Sequence, residues 1–179
     1  MSDEKKPLEL YIHIPFCERK CAYCDFLSMP ATLGVQRQYV EKLIDEIIGE
    51  SAGIQGYEVT SVFIGGGTPS ILPGEYILGI LQATADYFDL RKDAEITIEI
   101  NPGTLDEHKL ECYREGGVNR ISLGLQSSDD WELKILGRIH TYDDFLRSYE
   151  QVRMAGFSNV NVDLMSALPG QTLDSWEKT

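Results

Sequence analysis

Ala94-Glu-Ile-Thr-Ile-Glu-Ile-Asn101 is the stretch on which the fold turns. In an extended chain successive side chains point to opposite faces, so Ile96, Ile98 and Ile100 share one face and Thr97, Glu99 and Asn101 the other. Three more segments alternate in the same way. Ile121, Leu123 and Leu125 oppose Ser122, Gly124 and Gln126 in 119–126. Val160, Val162 and Leu164 oppose Asn161 and Asp163 in 158–165. Leu10, Ile12 and Ile14 oppose Glu9, Tyr11 and His13 in 8–14. Strands buried on both faces of an open doubly wound sheet read as continuous apolar runs. These have one apolar face and one polar face.

Helical segments fall between the strands. Val40, Leu43, Ile44, Ile47 and Ile48 recur at helical spacing, and so do Tyr76, Ile77, Ile80, Leu81 and Thr84 after a strand at 59–65. Thr104 and Glu107 have the spacing of a capping box, with Gly116 as the stop. A short helix is expected near 129–136. Thr141 can cap a helix carrying Phe145, Leu146, Tyr149 and Val152 and ending before Gly156, and Thr172 can cap another. Repeated strand–helix units imply an α/β fold with a parallel sheet and right-handed crossovers. Helices then cover the apolar face, and the polar face looks into a shared interior. A barrel with a polar lumen fits this pattern better than a sheet with one face in water, which is the habit of antiparallel sheets. Five strands leave the barrel unfinished. The expectation is one domain, 1–179, forming the N-terminal part of a longer protein whose C-terminal domain is absent.

The net charge of −13 opposes a nucleic-acid partner, since phosphate binding needs a basic surface. No apolar run reaches the roughly 20 residues of a membrane span. The opening MSDEKKPLELY lacks the apolar core of a signal peptide, so a cytoplasmic location is expected.

Of the four cysteines, Cys17, Cys21 and Cys24 lie within eight residues, directly after the first strand. Without an export signal, such a cluster reads as metal or redox chemistry before disulfide. Thiolates are the usual ligands of iron–sulfur clusters, and three of them leave one iron of a four-iron cluster open to a small molecule. Structural zinc is the rival; it wants four closed ligands, and His13 could supply the fourth. Cys112 stands apart and reads as a buried structural thiol. Gly65-Gly66-Gly67-Thr68-Pro69-Ser70 follows the second strand. It is neither a P-loop nor GxGxxG. Consecutive glycines let backbone approach a ligand, although a tight turn would use them equally well.

Taken together, YIHIPFCERKCAYCDF (11–26), GGGTPS (65–70), TIEINPGT (97–104), NRISLGLQS (119–127), LGRIH (136–140) and NVDLMSALPGQT (161–172) resemble the radical S-adenosylmethionine (SAM) proteins of the oxygen-independent coproporphyrinogen III oxidase group. That resemblance implies a partial (β/α)6 radical SAM barrel, TIM-barrel-like and here truncated after about five strands. It implies a [4Fe–4S] cluster on Cys17, Cys21 and Cys24, with the amino and carboxylate groups of SAM on the open iron. Gly66, Gly67 and Thr68 match the motif along the methionine moiety. Tyr11, Tyr23, Glu99, Gln126, Arg138 and Asp163 match further cofactor contacts. One or two SAM molecules, haem or coproporphyrinogen III as substrate or cargo, and a one-electron donor such as flavodoxin or ferredoxin are implied as well.

Within the group, the oxidases carry a further cysteine two residues after the third ligand, where this chain has Phe26. The CDF sequence therefore looks like the haem-chaperone branch. Ser166-Ala167 also departs from the family pattern, which usually has glycine where this chain has Ala167; alanine narrows the backbone angles available there.

Overall fold

The computed structural model describes residues 5–179. Five parallel strands form one sheet in sequence order: β1 (Lys6–Ile14), β2 (Tyr57–Gly66), β3 (Leu90–Ile100), β4 (Arg120–Gln126) and β5 (Asn159–Leu164). Helices α1 (Leu33–Ser51), α2 (Gly74–Tyr87), α3 (Glu107–Glu115), α4 (Asp130–Leu136) and α5 (Tyr142–Met154) lie between the strands, and α6 (Leu173–Lys178) follows β5. Sequential strand order with helical crossovers is the start of a (β/α) barrel. Among the described residues, β1 and β5 are the outer strands.

The alternation of the strands decides what is buried. Ile64, Ile98, Ile121 and Leu123 are fully enclosed in a core that also holds Ile77 and Ile80 of α2. Thr97 and Ser122, on the polar face, are buried inside the curve of the sheet. The polar face is thus sheltered at the centre of the sheet, while Tyr11 on β1 stays 60% exposed. Burying an aliphatic side chain of this size stabilises the fold by about 1.5–3 kcal/mol, which fixes the register: a one-residue slip would exchange the two faces.

Most helix ends follow the sequence. Thr141 forms a capping box with Asp144, Thr172 caps α6, and Gly116 is the C-cap of α3. The start of α3 differs from expectation. Asp106, not Thr104, is the N-cap, and its carboxylate accepts from Lys109 N at 2.8 Å. Thr104 is drawn away because its hydroxyl is shared by Ser70 Oγ (2.6 Å) and the Asn101 carbonyl (2.7 Å). On α1, Val40 and Ile47 are buried, whereas Ile48 sits at the rim, 36% exposed. Leu164 is not buried, at 44% exposure, and lies where the β4–β5 register shifts between Gly124 and Gln126. Among the described residues, no helix is long and apolar enough to cross a membrane.

Candidate functional site

At the C-terminal end of the sheet, the loop after β1 folds over the turn after β2. The cysteine loop is held at several points. Cys17 N donates to the Met29 carbonyl (3.1 Å), Cys24 N to Cys21 O (3.2 Å), and Ala22 N to Leu136 O (2.9 Å). The last of these ties the loop to the end of α4, where Gly137 adopts φ 77 so that the chain turns closely beneath Ala22. Lys20 Nζ donates to the Phe26 carbonyl at 3.2 Å and closes the loop on itself.

The glycine turn packs directly under this loop. Gly67 N donates to Ile14 O (2.8 Å) and Thr68 N to Phe16 O (2.7 Å). A Cβ on Gly67 would stand 2.6 Å from Phe16 O, so no other residue fits without moving the backbone that carries Cys17. Gly66, at φ 112, lies against the His13 ring, and its N–H donates to Glu99 Oε2 at 3.1 Å. His13 is turned to the Leu27 carbonyl (3.0 Å).

A cavity of about 430 Å³ opens where loop and sheet meet, within the usual range for a small-molecule site. Cys17, Cys21, Cys24, Tyr23, Gly66, Gly67, Thr68, Glu99, Gln126, Arg138 and Asp163 all line it. They come from the ends of β2, β3, β4 and β5 and from the intervening loops, the face where barrel enzymes gather their chemistry. Tyr11 does not line it. It lies farther down β1, 60% exposed and stacked on Phe63 at 5.9 Å.

The electrostatics are mixed. Burial raises Glu99 above the ordinary carboxylate range, the Gly66 N–H opposes this, and the Asp163 charge adds to it. Asp163 accepts from Ser122 Oγ (3.0 Å) and Asn161 Nδ2 (2.7 Å), which hold it toward the lumen. Burial raises the Tyr23 hydroxyl, with the Arg138 guanidinium pulling the other way. Arg138 bonds to neither Glu99 nor Asp163: its Nη2 donates to Asn101 Oδ1 (2.7 Å) and Gly124 O (3.0 Å). Gln126 takes φ 73, an unusual conformation for a residue with a side chain. Such strain concentrates at functional sites.

Asn101 and Ser122 belong to the site although they lie within TIEINPGT and NRISLGLQS without having been named as contacts. Both line the cavity. Their signal was positional, since Asn101 shares the polar face of β3 with Glu99, and Ser122 that of β4 with Gln126.

The donor set suits an iron–sulfur cluster. Three free thiols border one cavity, and the glycine turn leaves room beside them. Among the described residues, no three His, Cys, Asp or Glu side chains are gathered closely enough to hold one metal ion. A four-iron cluster offers each thiolate its own iron.

Comparison with known proteins points the same way. The Radical SAM superfamily model matches residues 11–179. The chain is 44% identical over 169 residues to "Heme chaperone HemW" of Escherichia coli (strain K12), covering 94% of this chain and 45% of that protein. It is 40% identical over 170 residues to the mouse "Radical S-adenosyl methionine domain-containing protein 1, mitochondrial", covering 93% and 38% respectively. The solved structure of coproporphyrinogen III oxidase (HemN) from Escherichia coli superposes with a TM-score of 0.89 at 30% identity, covering 99% of this chain and 41% of that one. The chain thus spans less than half the length of each.

Proposed function

The chain belongs to the radical SAM superfamily, and on that premise we propose that it is the cofactor-binding core, residues 1–179, of a haem-handling protein of the haem-chaperone kind. Membership brings a [4Fe–4S] cluster and SAM as its cofactors. The observation that carries the narrower reading is Cys24-Asp25-Phe26: an apolar side chain, 62% exposed at the cavity rim, stands where the oxidases have a further cysteine. Identity of 44% to a haem chaperone supports the same branch.

Cys17, Cys21 and Cys24 would hold the cluster, leaving one iron for the amino and carboxylate groups of SAM. When bound, the cluster supplies one electron to the SAM sulfonium, and this chemistry yields methionine and a 5′-deoxyadenosyl radical. The protein supplies binding, orientation and electrostatics. Gly66 and Gly67 present bare backbone to the methionine moiety. Glu99 and Asp163 offer carboxylates for an ammonium or ribose group through charge-assisted hydrogen bonds, and Gln126 is placed beside them by its left-handed backbone. Tyr23 and Arg138 close the cysteine side of the cavity. Tyr11, outside the cavity lining, would approach the cofactor from the Glu99 side. An electron donor such as flavodoxin or ferredoxin fits a one-electron requirement. A cytoplasmic setting fits four free thiols.

The test is anaerobic incubation of the reduced, cluster-loaded protein with haem and, separately, with coproporphyrinogen III. Haem bound tightly and coproporphyrinogen left unchanged is the expected outcome. Decarboxylation without haem binding would favour the second reading, a true oxidase, which the 0.89 TM-score to HemN keeps in view.

A further inference from the structure

Two of the three cysteine sulfurs already have hydrogen-bonding partners, and one side chain organises both. Cys17 Sγ lies 3.3 Å from Thr68 Oγ1, and Cys21 Sγ accepts from Arg138 Nη1 at 3.8 Å. Asn101, at the end of β3, joins the two donors. Its Nδ2 donates to Thr68 Oγ1 (3.1 Å) and its Oδ1 accepts from Arg138 Nη2 (2.7 Å). As a cluster ligand Cys17 is a thiolate and can only accept, and with one lone pair of Thr68 Oγ1 taken by the Asn101 amide the hydroxyl proton is free for Cys17 Sγ, which lies within reach. Arg138 is also anchored by the Gly124 carbonyl at 3.0 Å and touches Tyr23 OH at 3.5 Å. Thr68 and Cys17 are both buried, so water does not compete for the Cys17 contact.

We propose that Asn101, Thr68 and Arg138 form a bracket that directs two hydrogen-bond donors onto the ligand sulfurs and thereby sets the reduction potential of the cluster. The inference rests on the reading of Cys17, Cys21 and Cys24 as cluster ligands, and it concerns the protein before SAM arrives. Hydrogen bonds to the sulfurs are among the levers that tune iron–sulfur potentials. A donor withdraws negative charge from a thiolate, so it stabilises the reduced cluster, which carries one more electron than the oxidised one. Arg138 adds a full positive charge, and hydrogen bonds involving a charged group are roughly twice as strong as neutral ones. Arg138 is therefore a positioning and tuning residue in addition to any contact with SAM, and Asn101 fixes its direction.

The experiment is an EPR-monitored redox titration of the protein, reconstituted with iron and sulfide and kept free of SAM, for wild type, Thr68→Val and Arg138→Met. Iron and sulfide content is measured in parallel. Both variants keep the cluster, and both shift to more negative potential. Arg138→Met shifts further, with about a tenfold loss in the reduced-to-oxidised ratio at fixed poise, equal to about 59 mV for one electron. A full cluster with unchanged potential in both variants overturns the bracket. Loss of iron from both overturns it too, because the bracket tunes the sulfurs and does not hold the iron. Wild-type protein that takes up no cluster would instead sink the ligand assignment on which the inference rests.

Discussion

Replacing Gly67 by alanine places one methyl group where the structure has none to spare. The new Cβ would lie 2.6 Å from Phe16 O, 3.0 Å from Ile14 O and 3.0 Å from Phe16 C, all backbone atoms. No flexible side chain can yield. Relief requires the turn to lift away from β1, which breaks the bonds Gly67 N to Ile14 O and Thr68 N to Phe16 O. Overpacking of this kind costs about 1–3 kcal/mol, and each lost hydrogen bond adds about 0.5–1.5 kcal/mol. A loss of about 2–6 kcal/mol is therefore expected. Because Phe16 precedes Cys17, the same displacement moves a cluster ligand. Urea denaturation of the apoprotein measures the first effect, and iron content after anaerobic reconstitution the second. Gly67→Ala with wild-type stability and wild-type iron would refute the claim that the turn is packed against the cysteine loop.

Ala167 sits at φ 60, where a Cβ is strained. The left-handed conformation costs about 1–2 kcal/mol and glycine returns about 0.5–1 kcal/mol as chain entropy, so Ala167→Gly should stabilise by up to about 1.5 kcal/mol in a denaturant titration. Glu99 titrates above the ordinary carboxylate range because burial disfavours its charge. Binding of SAM, a cationic ligand there, should therefore weaken as pH falls through that raised value, and Glu99→Gln should remove this step from the calorimetric pH profile. His140 is buried, and burial with the nearby Arg138 charge lowers it to about 4. The unfolded imidazole protonates near its ordinary 6.5, so stability falls as pH drops from about 6.5 to about 4. The loss is of order 3 kcal/mol at most, and His140→Gln should flatten that limb of a stability–pH curve. Glu132 is 1% exposed; burial opposes its charge, but bonds from Ser127, Ser175 and Gln171 hold it below the usual carboxylate range. Glu132→Leu strands those three donors and should lower the melting temperature by at least about 6 °C, at about 1–3 kcal/mol per unsatisfied group and about 2–4 °C per kcal/mol.

What could be read in advance was what a period of two can carry. Ile96, Ile98 and Ile100 against Thr97, Glu99 and Asn101 announced a polar interior before any strand was placed, and the lining of the cavity by Glu99, Asn101, Ser122 and Asp163 follows from it. The cysteine spacing marked the loop, and Thr141 and Thr172 marked their helices, because both signals are local. Thr104 misled because its spacing to Glu107 satisfied a local rule while Ser70, 34 residues away, competed for its hydroxyl. Asn101 as the link between Thr68 and Arg138 was also hidden, since that link joins residues 33 and 37 positions apart. Tyr11, assigned by resemblance, shares the polar face of β1 and feels the Glu99 charge but does not line the cavity. Periodicity assigns a side to a residue and says nothing of its distance from the mouth. Ala167 is a case where a departure from the glycine of relatives pointed to the correct backbone stress, for its φ is positive.

The sulfurs of Cys17, Cys21 and Cys24 are expected to carry a four-iron cluster with one site left for SAM. EPR of the anaerobically reconstituted and reduced protein, recorded before and after adding SAM, addresses this directly. A signal of a reduced [4Fe–4S] cluster that changes shape when SAM is added is the predicted result. A reduced-cluster signal indifferent to SAM, or protein that binds zinc and shows no cluster signal, would contradict it.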